Sequence, residues 1–224
     1  MSTTTSQTLK EQLLQAAQFL FQAGVMSHSG HGNMSARLPE GEHMLLMGTG
    51  GARMPTVEQI VTVTFDGEVI EGTLDPATRE IVAMHAGAYR ARSEVGSVMH
   101  THSPQVTSFA LAHKPLPCVY EAFLRFGIVE DVPVADWAPR GSRESVTNII
   151  DQMTKHPSVP AVLLGNHGLL AFSANPQMTA QLIVIMEEAA ELTLAAEALG
   201  GPKAFPADAL ERERTHMRQF GSSR

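Results

Sequence analysis

Three histidines stand where imidazole chemistry needs them. His100-Thr-His102 closes the apolar run Val95-Gly-Ser-Val-Met99. On an extended chain, residues two apart point to one face. Two imidazoles there can share one divalent ion at about 2.0–2.1 Å per bond. The best candidate for a third is His167 in Leu163-Leu-Gly-Asn-His-Gly-Leu169, also at the end of an apolar run and beside Gly168, where backbone can approach closely. Three protein ligands with an open position describe a catalytic metal site rather than a structural one. The chain has one cysteine, Cys118, which excludes both a disulfide and a multi-thiolate zinc site. The other seven of its ten histidines read as ordinary. His85 reads as packed or hydrogen-bonded, His28 and His31 as residues of a Gly-rich loop that is either solvated or touches substrate, and His43, His113, His156 and His216 as surface residues without partners.

Glu80 is the matching acid–base candidate. It opens a helical pattern shortly before the histidine strand, where the helix dipole favours a carboxylate. Two turn segments rich in donors, Gly32-Asn33-Met-Ser35 and Met47-Gly-Thr49-Gly50-Gly51, have the composition of anion-binding backbone nests.

The elements that must position these groups follow from periodicity. Leu9, Leu13, Ala16, Ala17, Phe19 and Leu20 give a helix over 6–24, stopped by Gly24. The Gly- and His-rich stretch 28–37 has turn chemistry first and then the alternation of a strand; further strands are expected over 43–47, over 60–65 and, after the Asp66-Gly67 turn, over 68–70. Ile81, Met84, His85, Ala88 and Tyr89 share one face of a helix over 78–92. Next come a strand over 95–99, a helix over 104–113 and a strand from 132 to 137. A helix over 142–155 is capped by Ser142. Strands over 161–164 and 168–172 lead to a helix over 177–199, ended by Gly200-Gly201-Pro202. The last twenty residues read as a loose polar tail. No linker divides the chain, so residues 1–224 read as one domain with its core over about 8–200. Mixed strands and helices with early hairpins imply α/β layers around a largely antiparallel sheet.

Composition narrows the function. The 224 residues are 43% apolar, enough for a core. Only 17% are charged, which suggests surface buried against other subunits. A net charge of -7, with no adjacent Lys or Arg, argues against a nucleic-acid partner. No segment approaches the about 20 apolar residues of a membrane span, and no apolar signal core opens the chain. A cytoplasmic protein without a membrane partner is expected.

The order of motifs carries a resemblance. Gly32-Asn33-Met-Ser35-Ala-Arg37, Thr49-Gly50, Arg79-Glu80 with Met84-His85 and Tyr89-Arg90-Ala-Arg92, Val98-Met-His100-Thr-His102-Ser103-Pro104, and Asn166-His167-Gly168 together resemble the class II aldolase/adducin family over about 8–200. The resemblance implies a three-layer α/β/α sandwich on a mainly antiparallel mixed sheet, assembled as a homotetramer with its active site at the subunit interface. It puts the metal on His100, His102 and His167, with zinc the first choice and manganese the second. It puts substrate binding on Gly32, Asn33, Thr49 and Gly50, and the catalytic acid on Glu80. That acid needs a one-residue shift, because the family spaces it four residues before the helical His; the ungapped position holds Ile81, which can do no chemistry. The paired serines that complete phosphate binding in relatives are replaced by Ala77 and Thr78 or by Thr78 and Arg79.

Fuculose-phosphate aldolases use tyrosine proton donors, one after the metal strand and one near the C-terminus. This chain has two Tyr, Tyr89 and Tyr120, and none beyond Tyr120. The first position aligns best with Glu121, an acid or base for a neighbouring subunit by analogy with the epimerase and dehydratase branches. Arg140, in Trp137-Ala-Pro-Arg-Gly141-Ser142, suits a substrate carboxylate. The expectation is a divalent-metal-dependent carbon–carbon lyase of carbohydrate or organic-acid metabolism. It would act by aldol cleavage or decarboxylation on a small hydroxy-carbonyl compound or hydroxylated acid. The alternatives are a sugar-phosphate 4-epimerase or dehydratase of the same family, and a non-catalytic adducin-like module. A serine hydrolase lacks a G-x-S-x-G nucleophile motif.

Overall fold

Period-two burial along the strands sorts the chain into layers. The computed structural model describes residues 5–48 and 55–220. Its central strands are β1 (Gly32–Arg37), β2 (His43–Gly48), β5 (Ser97–Thr101), β7 (Ala161–Leu164) and β8 (Gly168–Ser173), all buried along most of their length. Met34, Ala36, Leu45, Met47, Met99, Leu163, Leu169 and Ala171 enter one core. Met44, Leu46, Val98, Val162, Leu164, Leu170 and Phe172 enter another. Successive side chains of a strand face opposite sides, so a sheet with two cores needs helices on both faces. The first core is closed by α1 (Ser6–Gln22), α4 (Pro104–Leu111) and α7 (Pro176–Glu197), through residues such as Leu13, Val106 and Ile183. The second is closed by α3 (Val82–Ala91) and α6 (Arg143–Lys155), through Met84, Tyr89, Ile149 and Met153. This is the expected three-layer α/β/α sandwich.

With β3 (Val61–Thr64), β4 (Val69–Glu71) and β6 (Val134–Ala135), the strands form one sheet in the order β4-β3-β2-β1-β5-β8-β7-β6. All neighbours are antiparallel except β6 and β7, which are parallel. The register sets Asn33 opposite His100, and His100 opposite Leu170. Paired residues point the same way, so Asn33 and His100 share the face covered by α3.

That face is polar where β1 meets α3. Asn33, Ser35 and Arg37 recur at every second position of the strand, and His85 and Tyr89 lie one turn apart on the helix. Two strand residues rise about 6.6 Å and four helix residues about 6.0 Å, so the two series stay in step. His85 Nε2 lies 2.6 Å from Asn33 Oδ1, and Ser35 Oγ lies 2.7 Å from His85 Nδ1 and 2.6 Å from the Tyr89 hydroxyl. Arg37 donates to the Tyr89 carbonyl, and its guanidinium sits 5.0 Å from the centre of the Tyr89 ring.

Several elements differ from their sequence expectation. The helix over 78–92 is two: α2 (Pro76–Arg79) and α3, joined by a turn at Glu80 and Ile81. Ile81 is 5% exposed and belongs to the second core. Turning it inward leaves Glu80 outside the helix, one residue before its N-cap. The strand from 132 to 137 joins the sheet only at Val134–Ala135, while Val132, on the other side of Pro133, pairs with Leu116 in a separate antiparallel bridge. The expected loose tail contains α8 (Ala209–Phe220), tied by Glu213 to Arg125 of α5 (Glu121–Arg125) at 3.6 Å. His156 and His113 are not partnerless: His156 Nδ1 lies 3.1 Å from Glu130, and His113 Nε2 lies 2.6 Å from Asn166 Oδ1. His216 also has an interaction partner. Among the described residues, no helix is long and apolar enough to cross a membrane.

The buried His85 has a consequence for stability. Complete burial pushes its pKa from 6.5 down to about 3. Between those values the unfolded chain binds a proton that the folded chain refuses. The stability present above pH 6.5 is therefore lost as pH falls toward 3. From pH 7 to pH 5 this one group is expected to cost roughly 2 kcal/mol. Urea unfolding of the wild type and His85→Gln at both pH values checks it: the wild type should lose that much more than the variant. An equal loss in both would show that His85 is not held neutral.

Candidate active site

The strand ends converge three imidazoles. His100 is buried at the second-to-last position of β5, and its Nδ1–H donates to the Leu169 carbonyl at 2.9 Å. A carbonyl only accepts, so Nδ1 carries the proton and Nε2 keeps its lone pair. Just past the strand, the half-buried His102 brings its Nε2 to 3.0 Å from that of His100. The His167 ring centre lies 4.5 Å from that of His100 and 4.9 Å from that of His102. All three offer a nitrogen within 4.8 Å of the others.

The turn between β7 and β8 delivers His167. Its N–H donates to the Leu164 carbonyl at 2.9 Å. Asn166 takes a left-handed conformation at φ 56° and accepts from His113 Nε2–H. Gly168 lets β8 close on β5. A Cβ there would stand 2.5 Å from the Thr101 carbonyl oxygen, 3.0 Å from His102 Cδ2 and 3.3 Å from His100 Cε1. Behind the site, Glu187 of α7 accepts from the Gln105 and Val106 N–H groups at 2.8 and 3.0 Å, fixing the start of α4 immediately after His102. Burial raises the Glu187 pKa, while the two N–H donors pull it back.

All three imidazoles are held neutral. Burial depresses His100 well below 6.5, and the neighbouring His167 and His102 depress it further. Burial, with His31 and Arg140, lowers His102, and burial, with His102 and Arg140, takes His167 to about 4. Neutral imidazoles are what a divalent ion needs, because a protonated ring has no lone pair to give. The lone pair of His100 aimed at His102 across 3.0 Å fits a shared cation.

The triad opens into a cavity of about 630 Å³, which Gly32, Asn33, Thr78, Glu80 and Arg140 also line. Glu80 Oε2 is 3.5 Å from Arg140 Nε. Gly141, at φ 76°, packs on Glu80: a Cβ there would lie 3.1 Å from that of Glu80. Thr78 turns its hydroxyl toward Gly48, where an added Cβ would meet it at 3.2 Å. Glu121 lies elsewhere in the chain, exposed on α5 and paired to Arg125 at 3.0 Å. Thr49 and Gly50 lie outside the described residues. Asp75, Ser145 and His31 also line the cavity. The first two are lone polar residues whose place in the cavity no spacing in the sequence marks.

A cluster of neutral imidazoles beside a carboxylate and a guanidinium, at the strand ends of an α/β/α sandwich, has the make-up of a small-molecule enzyme site whose three histidines could hold a divalent ion. The family described as Class II Aldolase and Adducin N-terminal domain matches residues 11–194, and the chain belongs to it. It is 30% identical over 164 residues to a 5-deoxy-D-ribulose 1-phosphate aldolase of Bacillus thuringiensis serovar kurstaki, covering 73% of this chain and 74% of that one. It is 27% identical over 227 positions to an L-ribulose-5-phosphate 4-epimerase of Salmonella paratyphi B, covering 96% of each. A solved L-fuculose 1-phosphate aldolase superposes with a TM-score of 0.80 at 26% identity, over 96% of this chain and 98% of that one. The protein is an enzyme of the class II aldolase type.

Gly168 supplies a test of the site. Gly168→Ala should force β8 away from Thr101 and spread the imidazoles, lowering the divalent metal taken up per chain at least several-fold in elemental analysis after incubation with Zn²⁺ or Mn²⁺, while far-UV circular dichroism is unchanged. Uptake equal to wild type would show that the close approach does not set the triad.

Proposed function

We propose that this enzyme is a divalent-metal-dependent carbon–carbon lyase that cleaves a small phosphorylated hydroxy-ketone by retro-aldol chemistry. The observation that carries the reading is the single cavity shared by His100, His102, His167, Glu80 and Arg140. The three imidazoles would hold the ion, zinc first and manganese second. When bound there, such an ion supplies Lewis acidity to a substrate carbonyl oxygen. Glu80 carries the proton transfer, at the hydroxyl that becomes the new carbonyl or at the carbon that becomes nucleophilic. Its pairing with Arg140 aims the carboxylate into the cavity. Arg140, Gly32, Asn33 and Thr78 bind the anionic end of the substrate, with Thr49 and Gly50 as candidates for the same role.

The replaced serines and missing tyrosines lean away from a phosphorylated substrate. The names of the relatives lean toward one, and Thr78 keeps the hydroxyl that a serine would supply. Glu121 would serve the cavity of a neighbouring copy in a homotetramer. Exposed Leu111, Leu192, Leu194 and Leu199, together with the low charge content, support burial of surface between copies. A second reading rests on Arg140, whose charge is felt by both His102 and His167: an anion bound beside the triad also suits decarboxylation of a hydroxylated acid.

Purified enzyme with 5-deoxy-D-ribulose 1-phosphate, L-fuculose 1-phosphate and L-ribulose 5-phosphate separates the branches by product: an aldehyde from cleavage, a second pentulose phosphate from epimerisation. EDTA should abolish turnover, and added Zn²⁺ or Mn²⁺ should restore it. Glu80→Gln should lower kcat by about 10²- to 10⁴-fold at unchanged metal content. Turnover that persists in metal-free protein would sink the proposal.

A further inference from the structure

The buried chain Tyr89–Ser35–His85–Asn33 has a direction, and the direction can be derived. An amide oxygen only accepts, so the 2.6 Å contact between His85 Nε2 and Asn33 Oδ1 requires a proton on Nε2. A neutral imidazole then offers a bare Nδ1, which accepts from the Ser35 hydroxyl at 2.7 Å. Having donated, Ser35 Oγ accepts from the Tyr89 hydroxyl at 2.6 Å. Every member is buried: Ser35 and His85 are 0% exposed, Tyr89 1% and Asn33 6%. No reversal satisfies all of them without turning the Asn33 carboxamide over.

The end of this chain faces the cavity, which Asn33 lines beside His100. With its oxygen committed to His85, the Asn33 carboxamide has its NH2 group to offer elsewhere. We propose that His85, Ser35 and Tyr89 are positioning residues that hold the Asn33 carboxamide oxygen-inward, so that Asn33 meets the substrate as a hydrogen-bond donor selecting an oxyanion such as phosphate. The proposal rests on the reading that Asn33 touches the anionic end of the substrate. It assigns a role to three residues that bear on substrate only through Asn33.

Two measurements test it separately. The first needs no activity. Long-range ¹H–¹⁵N correlation spectra of ¹⁵N-histidine-labelled protein, with His85 assigned by its loss in His85→Gln, should show protonated Nε2 and bare Nδ1. A proton on Nδ1 would reverse the chain and overturn the proposal. The second is the Kd for inorganic phosphate by calorimetry. Asn33→Ala and His85→Leu should each weaken phosphate binding by about tenfold or more. His85→Gln, whose amide can donate to Asn33 and accept from Ser35, should stay within about threefold of wild type. If Asn33→Ala weakens binding and His85→Leu does not, the positioning role falls while the Asn33 reading stands. If neither weakens it, or the wild type binds no phosphate, the Asn33 reading falls and takes the proposal with it. Urea midpoints of all variants show whether a loss of binding is a loss of fold.

Discussion

The pairing of β1 with β5, and of β5 with β8, is the constraint on which the rest depends. Asn33, His100 and Leu170 lie side by side across three strands. A slip of one residue in any pair would turn a whole row of side chains to the opposite face. His100 would then enter the core under α1, α4 and α7, and Met99 would face the cavity. What resists the slip is the row between: Met34, Met99 and Ala171 face one another across the same strands and fill that core. Residues that never touch the cavity thus set which groups reach it. Gly168 adds the last constraint, since only a residue without a side chain lets β8 follow β5 to the strand end.

Burial then decides the protonation of four imidazoles on this face of the sheet. His85, His100, His102 and His167 are all pushed below their ordinary range, each first by desolvation. A neutral imidazole has one donor and one acceptor, and its partner chooses which is which. The Leu169 carbonyl takes the proton-bearing Nδ1 of His100 and leaves Nε2 bare toward the cavity. The Asn33 oxygen takes the proton-bearing Nε2 of His85 and leaves Nδ1 to the buried chain. Two histidines on one face of the sheet therefore hold opposite tautomers, one suited to a cation and the other to orienting an amide.

What was legible in the sequence was local. His100 and His102 stand two residues apart at the end of one strand, and Gly168 follows His167 directly, so spacing alone marks them. The layers were equally legible, because alternating residues such as Met44, Leu45, Leu46 and Met47 can only divide between two cores. The rest is decided by partners far away in sequence. The break before α3 follows from the core drawing in Ile81, and α8 meets α5 through Glu213 and Arg125. The partners of His113 and His156 are Asn166 and Glu130. The Asn33–His85 contact joins a strand to a helix, and its reason emerges only when the two rises are compared. No periodicity within one segment carries such information.

The charge balance of the cavity bears on what it can accept. Glu80 and Arg140 form an ion pair, but their side chains are 56% and 52% exposed, so the pair contributes about 0–1 kcal/mol at most. Either partner can be drawn off by a competing charge at little cost. Neutral imidazoles add nothing negative, so a divalent ion held by them would be offset by the carboxylates that line the cavity, Glu80, Asp75 and Glu58, with Arg140 opposing them. These formal charges cancel, so the net charge of the cavity does not select the substrate. What Arg140 offers an anion is local: its charge is felt at both His102 and His167, beside the open side of the triad. Because its pair with Glu80 is exposed and weak, an anion could take Arg140 to itself at little cost.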